Sequence, residues 1–271
     1  MNSHKTPIAM TIAGSDSGGG AGIQADLKAM SAIGTYGASV LTALTAQNTL
    51  GVTAIHDVPP DFITAQLDAV YDDLDVDATK IGMLSQPAVI EAVADGLVKY
   101  KVKNIVLDPV MVTTSGNLLL ARDAVESLKS VLIPLAQVIT PNLFEAAELL
   151  NCEVAQTRTD MERQASALLD MGAQSVLLKG GHFDEPTAED LFVSKSQGRW
   201  YSAPRIQTDN THGTGCTLSS AIAAYLAQGE HMTHAIDAAK VYLSQAIEKA
   251  DLLQVGQGAG PVHHFFATWK R

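Results

Sequence analysis

Short, almost continuous apolar runs alternate along the chain with longer segments whose apolar positions recur every three or four residues. Pro7–Ala13 (PIAMTIA) is such a run, the pattern of a strand covered on both faces. Ile23, Leu27, Met30 and Ile33 then share one face of a helix over Ile23–Ile33. Tyr36–Ala46 and Val52–Val58 read as strands, and Pro59-Pro60 opens a helix over Asp61–Asp72. The alternation continues with a strand at Lys80–Leu84, a helix at Pro87–Tyr100 and a strand at Asn104–Asp108. A helix at Ala121–Leu132, a strand at Gln137–Thr140 and helices through Glu145 and over Asp160–Met171 follow. Ser175–Lys179 is a strand, Glu189–Ser194 and Arg199–Ala203 form a hairpin, and helices span 213–228 and Thr233–Lys249. Strands alternating with helices predict an α/β fold with a mostly parallel sheet covered on both faces. In such sheets ligands bind beyond the carboxyl ends of the strands. Asp16, Gln47, Met83, Asp108, Asn142 and Lys179 all fall at or just past those ends.

Composition narrows the function. At 271 residues with no Ser/Gly linker, the chain is read as one domain over 1–271. A hydrophobic fraction of 46% against 17% charged residues fits a well-buried core. The net charge of −11 argues against nucleic acid or an anionic membrane as partner. No apolar run approaches the length of a membrane span. Cys152 and Cys216, the only cysteines, form no disulfide framework and no zinc motif, so a reducing cytoplasm is expected.

Two glycine-rich segments carry the candidate chemistry. Gly14–Gly22 (GSDSGGGAG) lies between a strand and a helix. It has neither the Lys-Ser/Thr of a P-loop nor the G-x-G-x-x-G spacing of a dinucleotide fold, and is read as a flexible substrate-binding loop. Asp16 and Asp26 could hydrogen-bond a polar ligand there, although pattern alone puts Asp26 on a solvated helix face. Asn210–Thr217 (NTHGTGCT) runs straight into a helix. The unpaired N–H groups and positive dipole end of such a start suit a phosphate, and Gly213 and Gly215 allow close approach. Asp108, Asn142 and Glu145 are oxygen donors of the kind that hold Mg²⁺, and Lys179 can neutralise phosphate. Together these residues predict a small-molecule kinase that lacks a P-loop.

The motifs AGSDSGGGAGIQADLK, LTAQNT, KIGML, DPVM, TPN-x-x-EA, KGGH, THGTGCT and GPVHHF extend this over nearly the whole chain. Taken together they resemble the ribokinase-like superfamily and, within it, the hydroxymethylpyrimidine/phosphomethylpyrimidine kinases of thiamine biosynthesis. The resemblance implies a three-layer α/β/α sandwich, Mg²⁺ and ATP, and two successive phosphorylations of an aminopyrimidine alcohol. It implies that Gln47 recognises the aminopyrimidine edge, with Gly14, Asp26, Met83 and Val110 around the ring. Asp108, Asn142, Glu145, Lys179, His212 and Thr214 would serve Mg-ATP, the metal being held by Asp108 and Glu145, directly or through water. Gly213 and Gly215 would stabilise the transferring phosphoryl group, and a homodimer is implied. Many sugar kinases of the superfamily carry an aspartate base where this chain has Cys216. The thiol is therefore read as the base, helped by the helix start, with a purely positioning role left open. A pyridoxal kinase of the same fold, a Cys216–His212 thiol hydrolase and a non-catalytic pyrimidine binder are the competing readings.

Overall fold

The computed structural model describes residues 5–111, 122–181 and 186–269. Of the segments expected to act as lids, 112–121 lies outside these residues and 183–188 is described only from 186 on; Ala121 and His182 of KGGH lie outside as well. The strands are β1 (Ile8–Asp16), β2 (Tyr36–Asn48), β3 (Gly51–Asp57), β4 (Ala78–Ile81), β5 (Ile105–Leu107), β6 (Val138–Ile139), β7 (Ser175–Lys179), β8 (Thr187–Ser194) and β9 (Gly198–Pro204). The helices are α1 (Gly22–Ile33), α2 (Pro60–Tyr71), α3 (Pro87–Lys99), α4 (Arg122–Ser127), α5 (Leu143–Leu150), α6 (Arg158–Asp170), α7 (Thr214–Ala227) and α8 (Met232–Glu248).

The strands form one nine-stranded sheet in the order β3-β2-β1-β4-β5-β6-β7-β8-β9. β2, β1, β4, β5, β6 and β7 are parallel, while β3 at one edge and β8 and β9 at the other are antiparallel. Two apolar clusters sit on the two sheet faces. One joins Ile63 and Leu67 of α2, Val93 of α3, Ala146 of α5 and Leu168 of α6 to the sheet. The other joins Met30 of α1, Ile222 of α7 and Ala239 of α8. The expected three-layer α/β/α sandwich is therefore the fold.

Local chemistry sets the element ends. Proline occupies the first turn of α2 and α3, where its missing N–H costs nothing. Asn142 caps α5 through its side chain, and Glu145 returns the bond to the Asn142 N–H, a full capping box. α7 is buried nearly all round, so small residues suit it: Ser219, Ser220, Ala221, Ala223 and Ala224 let neighbours approach closely.

Some boundaries differ from the sequence reading. β1 continues through Gly14 and Ser15 to Asp16, and β2 runs on to Asn48. β4 is Ala78–Ile81 rather than Lys80–Leu84. The helix expected to Leu132 keeps α geometry only to Ser127, then widens to a π turn over Leu128–Leu132 and tightens to 3₁₀ over Ile133–Leu135, where Pro134 removes an N–H donor.

Candidate active site

The ends of the parallel strands meet the start of α7. Lys179, at the end of β7, places Nζ 2.9 Å from Asp108 Oδ1 beyond β5 and 3.9 Å from Glu145 Oε2. Asp108 Oδ1 also accepts from the Thr140 hydroxyl, and Oδ2 accepts from Ser219 of α7. Burial opposes the charged form of Asp108, but Lys179 and Lys80 outweigh it and hold its pKa below the ordinary carboxylate value. Burial also penalises the Lys179 ammonium, yet Asp108 and Glu145 more than restore it. For Glu145 burial wins, and its pKa rises to about 7.

Gly215 packs directly on this cluster. A Cβ at Gly215 would lie 3.4 Å from Lys179 Nζ and 3.7 Å from Asp108 Oδ2. Gly213 has φ 79°, and a Cβ there would overlap the Gly20 carbonyl oxygen, so glycine is needed on both grounds. The N–H groups of Gly215 and Cys216 have no acceptor among the described residues, whereas Thr214 N–H turns back to Thr211 O. Two free donors at a helix start therefore stand beside a lysine and a buried carboxylate, which is an anion site by construction.

The Gly14–Gly22 segment is tied down rather than flexible. Asp16 accepts from the N–H groups of Gly18, Gly20 and Ala21, and its Oδ2 lies 3.0 Å from His212 Nε2. Burial works against the Asp16 charge, but His212 and the backbone donors together lower its pKa. This corrects the expectation that Asp16 is available to a ligand: its oxygens close the loop. His212 was expected on the nucleotide side. Its ring instead stands against Asp16, Gly20 and the Gln47 amide, 3.4 Å from Gln47 Nε2. Gln47 is half-buried at the end of β2, and Gly14 and Met83 touch, since a Cβ on Gly14 would fall 2.7 Å from Met83 Cε. Val110 lies in the turn after β5.

Asp26 is not on a solvated face. It is fully buried, and its carboxylate accepts from Lys80 Nζ at 2.8 and 3.0 Å, from Thr11 and from Ser220. Lys80 is the residue the sequence reading passed over. It stood in the quoted KIGML motif, and a lysine inside an apolar strand covered on both faces demands a buried counter-charge. Ser219 and Thr140 were likewise not singled out, and the pairing of Thr217 with His264, 2.9 Å apart, was not foreseen.

Asn142 is not a free ligand, because its Oδ1 caps α5 at the N–H groups of Phe144 and Glu145. Glu145 Oε2 accepts from Asn142 N–H, and its carboxylate also takes the Met111 N–H. Two nearly buried carboxylates flank one ammonium, and no group of three or more His, Cys, Asp or Glu able to hold a metal occurs among the described residues. Such a donor set suits a Mg²⁺ ion that keeps most of its waters and is shared with phosphates, not one caged by protein. The thiolate expected at Cys216 is also corrected. Burial pushes the thiol up to about 11, with Asp26 and Asp108 adding to the rise and Lys80 opposing it.

A doubly covered parallel sheet whose strand ends carry a lysine–carboxylate pair under a glycine-rich helix start defines the class: a ribokinase-like small-molecule kinase. The family description "Phosphomethylpyrimidine kinase" matches residues 16–263, and the chain belongs to that family. It is 57% identical to the hydroxymethylpyrimidine/phosphomethylpyrimidine kinase of Rhizobium meliloti (strain 1021), covering 98% of this chain and 99% of that one. Among solved structures it resembles the phosphomethylpyrimidine kinase of Clostridium difficile 630, with a TM-score of 0.80 and 47% identity over 89% of this chain and 99% of that one. It also resembles an ADP complex of Bacillus subtilis pyridoxal kinase, with a TM-score of 0.88 and 37% identity over 96% and 98% of the two chains. No helix among the described residues is long and apolar enough to cross a membrane.

Proposed function

We propose that this protein transfers phosphoryl groups from ATP to 4-amino-5-hydroxymethyl-2-methylpyrimidine and then to the resulting monophosphate, giving the diphosphate used in thiamine diphosphate biosynthesis. The observation that carries this reading is the junction of Gly215 with Lys179 and Asp108. Phosphoryl transfer through a loose transition state needs positioning and charge stabilisation more than covalent help. The Gly215 and Cys216 N–H groups would take the equatorial oxygens of the transferring group, with the Gly213 turn holding them in place. Lys179 would draw the donor phosphates, and Thr214 would border them. Mg²⁺, when bound, neutralises phosphate charge, and Asp108 and Glu145 would hold it through water while Asn142 keeps Glu145 in place.

On the acceptor side Gln47 would face the aminopyrimidine edge, with Gly14, Met83 and Val110 around the ring and Asp26 supporting it from beneath. Cys216 would orient the acceptor hydroxyl as a neutral thiol. A loose transition state releases the hydroxyl proton late, to a phosphoryl oxygen, so no thiolate is required. The reading extends to one kinase domain over the whole chain and to a cytoplasmic homodimer, with Leu44, Leu50 and Ile55 of the β2–β3 hairpin among the exposed apolar side chains.

Incubating the protein with Mg-ATP and the hydroxymethylpyrimidine, with pyridoxal in parallel, and following products by mass spectrometry tests the proposal. Monophosphate followed by diphosphate is expected. Phosphorylated pyridoxal alone would replace the substrate while leaving the transfer chemistry intact. The structural likeness to a pyridoxal kinase makes that comparison necessary.

A further inference from the structure

Hydrogen counting around Gln47 determines which way its amide points. Thr45 Oγ1 lies 2.8 Å from the Ser15 carbonyl oxygen and 3.1 Å from Gln47 Oε1. A hydroxyl has one hydrogen, and a carbonyl oxygen can only accept, so that hydrogen goes to Ser15. The Thr45 oxygen is then an acceptor and wants an N–H from Gln47, not an oxygen. On the other side His212 Nε2 lies 3.0 Å from Asp16 Oδ2 and 3.4 Å from Gln47 Nε2. A ring nitrogen facing a carboxylate carries its hydrogen, so two donors face each other across that gap. Exchanging the amide oxygen and nitrogen of Gln47 removes both conflicts at once, and heavy-atom positions alone do not distinguish the two arrangements. Nε2 then donates to Thr45, and Oε1 becomes the second, longer acceptor of the His212 Nε2–H that Asp16 Oδ2 already holds, a three-centre bond in place of two opposed donors.

We propose that Thr45 and the Asp16–His212 pair are positioning residues that lock the Gln47 amide with its oxygen toward His212 and its nitrogen toward Thr45, and so select the acceptor by the order of donor and acceptor on its edge. One carbonyl lone pair and one N–H of Gln47 remain for the ligand. They match a ring with an amino group on the His212 side and a ring-nitrogen acceptor on the Thr45 side. The 4-oxo analogue of the hydroxymethylpyrimidine presents the reverse order, a carbonyl beside a ring N–H, and meets the locked amide donor to donor. A buried mismatch of this kind is rejected far more strongly than a difference in apolar contact. The inference rests on the aminopyrimidine reading of the acceptor.

The test compares kcat/KM for the 4-amino and 4-oxo alcohols in the wild type and in Thr45→Val, Thr45→Ser and His212→Phe. The wild type is expected to prefer the amino compound by about 100-fold or more. Thr45→Val and His212→Phe free the amide to turn and should each shrink that ratio at least about tenfold, chiefly through KM. Thr45→Ser keeps the hydroxyl and should restore the ratio, which a general loosening of the fold would not do. A wild type inactive on the aminopyrimidine overturns the substrate reading and this inference with it. An active wild type whose ratio stays unmoved in both variants overturns the inference alone. Should the variants not fold, a crystal structure of the wild type with the aminopyrimidine decides. The amino nitrogen is expected nearest His212 and the ring nitrogen nearest Thr45, and the opposite order is fatal to the proposal.

Discussion

Lys179 and Asp108 form an almost buried ion pair, Nζ to Oδ1 at 2.9 Å, directly under the first turn of α7. Neither charge is isolated in the apolar interior, and both face the mouth where Gly215 and Cys216 leave N–H groups free. Replacing Lys179 by Gln should lower kcat by about 10² to 10³, the usual loss when one transition-state donor is removed. Steady-state kinetics alongside a melting curve checks this. Full activity in a folded variant would remove Lys179 from the transfer site.

The two glycines of the α7 loop should respond differently to alanine. Gly213→Ala puts a Cβ at φ 79° onto the Gly20 carbonyl, and should cost about 1–3 kcal/mol of stability. Gly215→Ala has ordinary contact distances and lies in the first turn of a helix, so stability should hold or rise by up to about 1 kcal/mol. Its methyl group would nonetheless sit on the Lys179–Asp108 pair, and kcat should fall. Denaturant titration and turnover on the same samples separate the two effects.

Asp26 and Lys80 are coupled by burial. Asp26→Ala strands the Lys80 ammonium in the core and should destabilise the fold by about 3–5 kcal/mol. The double change Asp26→Leu with Lys80→Met should recover most of that loss, since an apolar pair needs no solvation. Urea unfolding of the single and double variants is the measurement, and additive losses would show that the pair is not coupled.

His264 makes the protein acid-sensitive. Burial lowers its pKa from the ordinary 6.5 to about 3, with Lys28 and His263 adding to the shift. The unfolded chain therefore binds a proton that the folded chain refuses between those values. Stability from this group is complete above about pH 6.5 and declines by up to roughly 1.4 kcal/mol per unit as pH falls toward 3. The difference in unfolding free energy between wild type and His264→Gln, followed across that window, isolates the effect.

Cys216 should be the slower thiol. With its pKa raised to about 11 it is protonated at neutral pH, whereas Cys152 is exposed. Iodoacetamide at pH 7.5 should label Cys152 first, as peptide mass spectrometry would report. Cys216→Ser should keep kcat within about tenfold, because a hydroxyl can orient the acceptor as the neutral thiol does. A collapse of activity in that variant would return the base role to Cys216.

The alternation of apolar runs with helical periodicity already determined the α/β class, the parallel sheet and the placement of Asp108, Asn142, Lys179 and the α7 loop at strand ends. Those features follow from local pattern and from the rule that ligands bind where parallel strands finish. The motifs carried the family and its chemistry. What each polar group is occupied with was decided only by the tertiary structure. Asp26 looked like a surface carboxylate because its partner Lys80 is 54 residues away in sequence. Asp16 and His212, 196 residues apart, close a loop that composition alone made look flexible. The Cys216 thiol is neutral because burial and two carboxylates outweigh the helix start and Lys80. Local sequence records the propensity of each residue. Desolvation and the position of the opposing charge depend on where distant segments come to rest.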